Sequence, residues 1–216
     1  MRFFHGTTKQ NAEIIKATSL NESPFSVQDY IKHAIKENAG SIPKGFLDED
    51  GNYNPVKWLG KGIYLFDKFN KREAISWCTR YGKPKHQLMD CTALSVSLKE
   101  IPEENIFDFF SYSDIMEIRT TLDKKLEEYL EEREDLSEQE LSSYVYVQEA
   151  ILANLENLFE GKQFLGGVAV DLYNLIQNNK IKLIRGIYKK GKLPNLYYDV
   201  YYCLKDGHFL EEFKVI

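Results

Sequence analysis

Little in this chain of 216 residues offers a metal site or a disulfide scaffold. Its three cysteines, Cys78, Cys91 and Cys203, are too few and too scattered for a disulfide framework or a structural zinc site. The four histidines, His5, His33, His86 and His208, form no His-x-x-x-His pair, and no Cys-x-x-Cys occurs, so no metal is expected. No apolar run approaches the roughly 18 residues of a membrane span, which speaks against a membrane partner. Residues 1–10 lack the apolar stretch of a secretory signal. These absences lead to the expectation of a reduced, cytoplasmic, metal-free protein.

What is present is ordinary for a folded domain. Hydrophobic residues make up 43% and aromatics 13%, enough to bury a core. The 28 basic residues face 33 acidic ones, a net charge of −5. Length predicts a single domain over residues 1–216. The run from Arg2 reads as a short strand ending at His5, followed by helical spacing over 11–16. Residues 25–38 repeat apolar residues at helical spacing. The Gly-, Pro-, Asp- and Asn-rich stretch 39–55 reads as a surface loop. A strand is expected over 62–66, a helix over 70–81 with Ala74, Ile75, Trp77 and Cys78 inward, and a strand with one buried face over 88–98. Residues 106–110 form a further strand candidate.

The stretch 113–160 differs. Leu122, Leu126, Tyr129 and Leu130 share a helical face, and Ser137 followed by Glu140 fits a capping box opening a second helix. An inserted helical hairpin is the expectation. Residues 168–176 read as helix. Strand candidates at 180–188, 197–204 and 209–216 close the chain as a meander, with turns at Lys190-Gly191 and Asp206-Gly207. The fold class is therefore α+β with a mainly antiparallel sheet and flanking helices.

Two segments carry chemistry. Phe4-His5-Gly6-Thr7-Thr8, at a strand end, offers an imidazole, a hydroxyl and a glycine that lets a ligand reach backbone N–H and C=O. Gly60-Lys61-Gly62-Ile63-Tyr64 enters a strand with a close backbone approach and an aromatic wall. Together they suit a flat heteroaromatic amide and its attached sugar.

In this order the segments resemble the ADP-ribosyltransferase superfamily of the diphtheria-toxin and poly(ADP-ribose) polymerase type. His5-Gly6-Thr7 looks like its His-Gly-(Ser/Thr) strand. Gly60 to Asp67, with the helix holding Ala74, Trp77 and Cys78, looks like its Gly-x-Gly-x-Tyr strand and following helix. The resemblance covers roughly residues 2–8, 60–78 and the C-terminal strands, and implies a split sheet and NAD as co-substrate. It implies that His5 bonds a ribose hydroxyl, that Gly6 backbone atoms pair with the nicotinamide amide, and that Thr7 supports the turn or touches ribose. Gly62 would allow the close backbone approach, Tyr64 would stack on nicotinamide with Trp77 a second wall, and Ala74 would keep its helix close. The family usually places a glutamate on a late strand to stabilise the oxocarbenium ion as nicotinamide leaves. This chain departs from that pattern. Asp199 is the best match, with Glu211 and Glu212 as alternatives.

The implied activity is a glycosyltransferase that moves ADP-ribose from NAD to a macromolecule. Charge bears on the acceptor. Eight basic residues fall between Lys57 and Lys85, and six between Lys180 and Lys192, against 11 acidic and 4 basic residues over 114–140. The basic stretches flank the motif strands and favour RNA or DNA over protein, or else are solvated surface. Water as acceptor would make an NAD glycohydrolase. A catalytically inactive module that binds NAD or ADP-ribose is the third alternative. A small free-standing transferase points to a bacterial toxin or antiphage effector whose antitoxin or immunity protein binds the acidic hairpin.

Overall fold

The computed structural model describes residues 2–20, 25–37, 45–47, 51, 53–55, 57, 59–81, 87–133, 136–155, 166–190 and 197–216. Strand β1 (Arg2–Thr8) runs three residues past His5 and leads directly into α1 (Lys9–Thr18). Thr8 makes that junction: its hydroxyl accepts the Asn11 N–H at 3.1 Å, satisfying an orphan donor of the first helical turn. Helix α2 (Val27–Glu37) follows. Within the expected loop, β2 (Gly45–Leu47) and β3 (Tyr53–Pro55) pair as a small antiparallel sheet. The motif strand is β4 (Ile63–Asp67), and its helix is α3 (Lys71–Tyr81).

Strands β5 (Cys91–Leu98) and β6 (Ile106–Phe109) precede two long helices, α4 (Tyr112–Glu131) and α5 (Glu138–Leu155). Ser137 and Glu140 form the expected capping box, with reciprocal bonds of 3.0 and 3.3 Å. Ser111 and Asp114 form a second box opening α4, a signal not used above. Helix α6 (Gly166–Ile176) and strands β7 (Leu183–Lys190), β8 (Tyr197–Leu204) and β9 (Leu210–Val215) complete the chain.

Among the described residues the fold is α+β, with six helices and a seven-stranded sheet in the order β6-β7-β8-β4-β1-β5-β9. Every ladder in it is antiparallel except β6–β7, so the sheet is mixed. Of the expected C-terminal meander, β7 and β8 do pair as antiparallel neighbours, while the place of β9 is corrected. Both edges of β8 are taken, by β7 and β4, so β9 crosses to the far side and pairs with β5. Asp206-Gly207 accordingly makes no hairpin turn. Asp206 caps a single 3-10 turn over Gly207–Phe209.

Both sheet faces are covered. Phe4, Phe66, Ala93, Ile184 and Tyr201 pack in one cluster with Ala74 of α3 and the buried residues of α2, α4, α5 and α6. Phe3, Ile63, Leu65, Leu94, Val96 and Leu204 pack in another with Ala12 of α1, and Ile15 lies against it. The expectation of one buried face for the strand now seen as β5 is therefore corrected, because α1 closes the second. Ile115, Ile118 and Leu122 of α4 and Val147, Ile151 and Leu155 of α5 are buried in the first cluster beside Val168 and Ala169 of α6. The expected hairpin helices thus bury their apolar stripes in the main core and leave acids such as Glu127 and Glu131 exposed.

The cysteine expectation is also corrected. Cys78 of α3 and Cys91 of β5 are joined as a disulfide, their Cα atoms 6.1 Å apart. Cys203 is free and buried. The packing of α3 against β5 brings together two thiols that look unrelated in the linear chain.

Candidate functional site

The two motif segments meet where neighbouring strands part. β1 pairs with β5 from Arg2 to Thr8, but its pairing with β4 is confined to Phe3↔Asp67 and Phe4↔Phe66. Continued in register, the next partners would be His5 with Leu65 and Gly6 with Tyr64. Instead the His5 side chain bridges the gap, its Nδ1 lying 2.9 Å from the Tyr64 carbonyl oxygen. A carbonyl only accepts, so Nδ1 carries the proton. Burial pushes the imidazole below its ordinary value, and the bond to Tyr64 offsets only part of this. The ring is therefore neutral at pH 7. Its Nε2 is a bare acceptor with no partner among the described residues.

His5 and Thr7 point to the α1 face of the sheet. There they line a cleft of about 270 Å³ with Asn11, Ile14, Thr18 and Ser19 of the α1 segment. Thr7 is 8% exposed, and its hydroxyl makes no hydrogen bond to any described residue. Buried polar groups are normally satisfied. One cleft thus holds a buried hydroxyl and an imidazole nitrogen that are both unpaired among the described residues. Ser19, which ends α1, has φ 126° and ψ 168°, a region left almost entirely to glycine. Such strain concentrates at ligand sites. Asn11, Ile14, Ile15 and Thr18 were missed in the sequence reading. Their spacing of three and four on one helical face was the available signal.

Tyr64 faces the other side. Its ring packs against the cluster under α3 and α6. Its hydroxyl accepts the Leu59 N–H at 2.9 Å and donates to the Gly60 carbonyl at 3.1 Å. Burial raises its pKa well above the ordinary phenol value, so it remains a phenol. Trp77 lies on this face too, its ring 5.9 Å from Phe66 and 5.7 Å from Tyr201. Ala74 is fully buried, and Gly6 explains why: a Cβ on Gly6 would overlap the Ala74 carbonyl. Glycine here lets α3 lie directly on β1. The structure therefore brings His5 to Thr7 and Gly6 to Ala74. It sets the rings of Tyr64 and Trp77 across the sheet from His5, with the β1–β4 gap between them.

The loop before β4 is held from behind. Gly60 has φ +75°, and a Cβ on it would overlap the Asp171 carboxylate. Asp171 Oδ2 accepts the Lys61 N–H at 2.7 Å. Lys205 Nζ donates to Leu59 O at 2.6 Å, Lys61 O at 2.7 Å and Asp171 Oδ1 at 2.7 Å. Burial opposes the Lys205 ammonium, but the Asp171 carboxylate outweighs it and holds the pKa above the ordinary lysine value. Gly62 packs against the Leu204 carbonyl of β8. A lone acid in the apolar α6 was a visible sign of this network. Its partner 34 residues on was not.

The carboxylate candidates stand apart from His5. The Asp199 backbone faces Tyr188 in β8, four positions before Cys203, the partner of Tyr64. Its side chain lies outside the described residues. Glu211 and Glu212 are exposed on the edge strand β9, and Glu212 is paired with Lys214 at 2.7 Å. Level with His5 on that strand is Val215, not a carboxylate. Among the described residues no group of three or more His, Cys, Asp or Glu could hold a metal ion, and no helix is long and apolar enough to cross a membrane.

The basic stretches fare differently. In the second, Lys182 is paired with Asp206 at 3.2 Å and Arg185 with Asp108. Lys192 lies outside the described residues, as do the side chains of Lys189 and Lys190. In the first, Lys57, Lys68, Lys71 and Arg72 are exposed, while Lys83 and Lys85 lie outside the described residues. Comparison of the chain with protein-family models, curated proteins and solved structures finds no match.

Proposed function

We propose that this chain is an NAD-dependent ADP-ribosyltransferase of the diphtheria-toxin and poly(ADP-ribose) polymerase type. The observation that carries the reading is that neutral His5, its Nε2 without a partner among the described residues, shares one cleft with the buried Thr7 hydroxyl, which is also unpaired among them. An acceptor nitrogen and a hydroxyl there suit the adjacent hydroxyls of a ribose. Asn11 and the Ile14 side chain would flank the rest of a nucleoside. The resemblance assigns the nicotinamide end to the Gly6 backbone, where β1 parts from β4, and to Tyr64 and Trp77, whose rings lie on the opposite side of the sheet from the cleft.

In this reading the bond from the ribose anomeric carbon to the nicotinamide nitrogen breaks, and nicotinamide leaves with the bonding pair. The acceptor attacks from the opposite face, inverting the carbon, and gives up its proton to solvent. Asp199 is the residue assigned to the developing positive charge. Its one-methylene deficit against glutamate requires the β8 backbone to approach more closely. The acceptor is a macromolecule, with nucleic acid ahead of protein. A toxin or antiphage effector held by an antitoxin or immunity protein remains the biological setting proposed. A cytoplasmic site of action rests on the few, scattered cysteines and the lack of a signal-like stretch, and the Cys78–Cys91 disulfide argues against the reduced half of that expectation.

A binding module without activity is the second reading. It draws on the exposure of Glu211 and Glu212 on an edge strand remote from His5. The deciding experiment incubates the protein with NAD labelled in the adenylate and with cell lysate, followed by nuclease or protease. Free nicotinamide and label lost to nuclease would support the nucleic-acid transferase. Label lost only to protease would make the acceptor a protein. Nicotinamide release without macromolecular label would mean a glycohydrolase. Neither product, with NAD still bound, would leave the binding module.

A further inference from the structure

We infer that the turn from β4 into α3, with the first residues of α3 and β1, is a docking surface for single-stranded nucleic acid. The inference rests on the transferase reading for its consequence, since it supplies the acceptor class. Phe69 is 83% exposed, the largest exposure among the described apolar side chains that stand out from the surface. It is displayed on a braced turn: the Asn70 N–H bonds the Asp67 carbonyl at 2.8 Å and the Phe69 N–H bonds Asp67 Oδ1 at 3.0 Å. An aromatic ring held out by a fixed turn loses little entropy on capturing a base.

The ring is framed by cations. Lys68 Nζ sits 4.9 Å from its centroid. Lys71 and Arg72, on the first turn of α3, are exposed and have no ion-pair partner among the described residues. Arg2, exposed at the start of β1, is adjacent to Phe3, which pairs with Asp67. The acids of this segment are engaged elsewhere, Asp67 in bracing the turn and Glu73 with the Tyr201 hydroxyl at 3.4 Å. Lys182 and Arg185 of the second basic stretch are, by contrast, neutralised in ion pairs.

A base-stacking platform beside four exposed cations, Arg2, Lys68, Lys71 and Arg72, against the two carboxylates Asp67 and Glu73, is net positive and matches a single strand, whose bases are free to leave one another and whose phosphates follow a basic track. A duplex keeps its bases stacked inside and would meet only the cations. Position ties this surface to the chemistry. Carried two residues past Phe66↔Tyr201, the β4–β8 register sets Lys68 level with residue 199. A strand held here would pass the end of β8 to which the proposed catalytic carboxylate belongs.

The test is fluorescence anisotropy of a labelled 12-nucleotide oligo-U RNA, with oligo-dT in parallel, on the intact protein without NAD. The parent should bind both at low salt, and their duplexes much more weakly. Phe69→Ala should weaken binding about tenfold or more through loss of stacking. Lys71→Ala with Arg72→Ala should make the salt dependence shallower by about 1.4 in log–log slope, two single-strand phosphate contacts. Nicotinamide release should be unchanged in Phe69→Ala, and so should thermal unfolding, because the ring is solvent-facing. Parent-like binding by both variants would overturn the surface, as would equal binding of duplex. Equal, Phe69-dependent binding of an acidic peptide would overturn the nucleic-acid assignment. Nicotinamide release without oligonucleotide binding would sink this surface alone. Phe69-dependent binding without nicotinamide release would sink the transferase reading and keep the surface.

Discussion

Replacing Asp171 with alanine leaves the Lys205 ammonium in a site where the two side chains are only 5% and 9% exposed. Three acceptors now satisfy that ammonium, and one of them carries the countercharge. The substitution removes the charged one and also orphans the Lys61 N–H that Oδ2 accepts. Breaking a buried pair from one side costs about 3–5 kcal/mol, because the remaining charge is neither hydrated nor matched. A domain of this length loses about 2–4 °C of melting temperature per kcal/mol, so a fall of about 6–20 °C is expected. Asp171→Leu with Lys205→Met removes both charges and should recover the part of the loss that comes from the unmatched ammonium, while the Lys61 N–H and the Leu59 carbonyl still lose their side-chain partners. Urea unfolding at pH 7, followed by tryptophan fluorescence and circular dichroism, gives the free energies. A single variant within about 1 kcal/mol of the parent would refute the reasoning, since such a value belongs to hydrated surface pairs. A double variant as unstable as the single one would refute it equally. Because Leu59, Gly60 and Lys61 are the groups being held, the Michaelis constant for NAD should rise in Asp171→Asn more than turnover falls.

Two other outcomes follow from the site and its neighbourhood. Nicotinamide release should stay level from pH 8 to about 6.5 and fall below it, because protonation at Nε2 turns the His5 acceptor into a donor. The depressed folded pKa means the unfolded chain binds the proton more readily, so stability also drops as pH falls below 6.5. His5→Gln, which places a carbonyl near the Nε2 position, should keep more activity than His5→Phe, and equal loss would argue against the acceptor role. Reducing the Cys78–Cys91 disulfide, or replacing Cys78 with serine, reopens a loop spanning 13 residues and should cost about 3 kcal/mol in urea unfolding on loop-entropy grounds. No change on reduction would mean the two thiols do not constrain the unfolded chain.

Local pattern made most of the elements legible. Helical spacing marked α2 and α4, the Ser137–Glu140 box marked the start of α5, and apolar runs marked β4, β5 and β8. Such signals arise within a few residues, from turn chemistry and from the face each element must bury. Legibility stopped where the physics is long-range. The place of β9 depends on which strand edges are already taken, and nothing within residues 209–216 encodes that. The disulfide, the Asp171–Lys205 pair and the cleft under α1 join segments that no local period relates.

By itself the sequence determined an α+β domain, the His5-Gly6-Thr7 and Gly60-to-Tyr64 segments, and a resemblance that names NAD. It could not say on which side of the sheet each side chain would lie. The tertiary structure put His5 and Thr7 over α1, and Tyr64 under α3 on the face that Trp77 of that helix also covers. It also ended the β1–β4 ladder at Phe4. Strand alternation sends odd and even residues to opposite faces, but only the packing of α1 on one face and of α3 and α6 on the other turns that alternation into a cleft that gathers the His5 imidazole and the Thr7 hydroxyl.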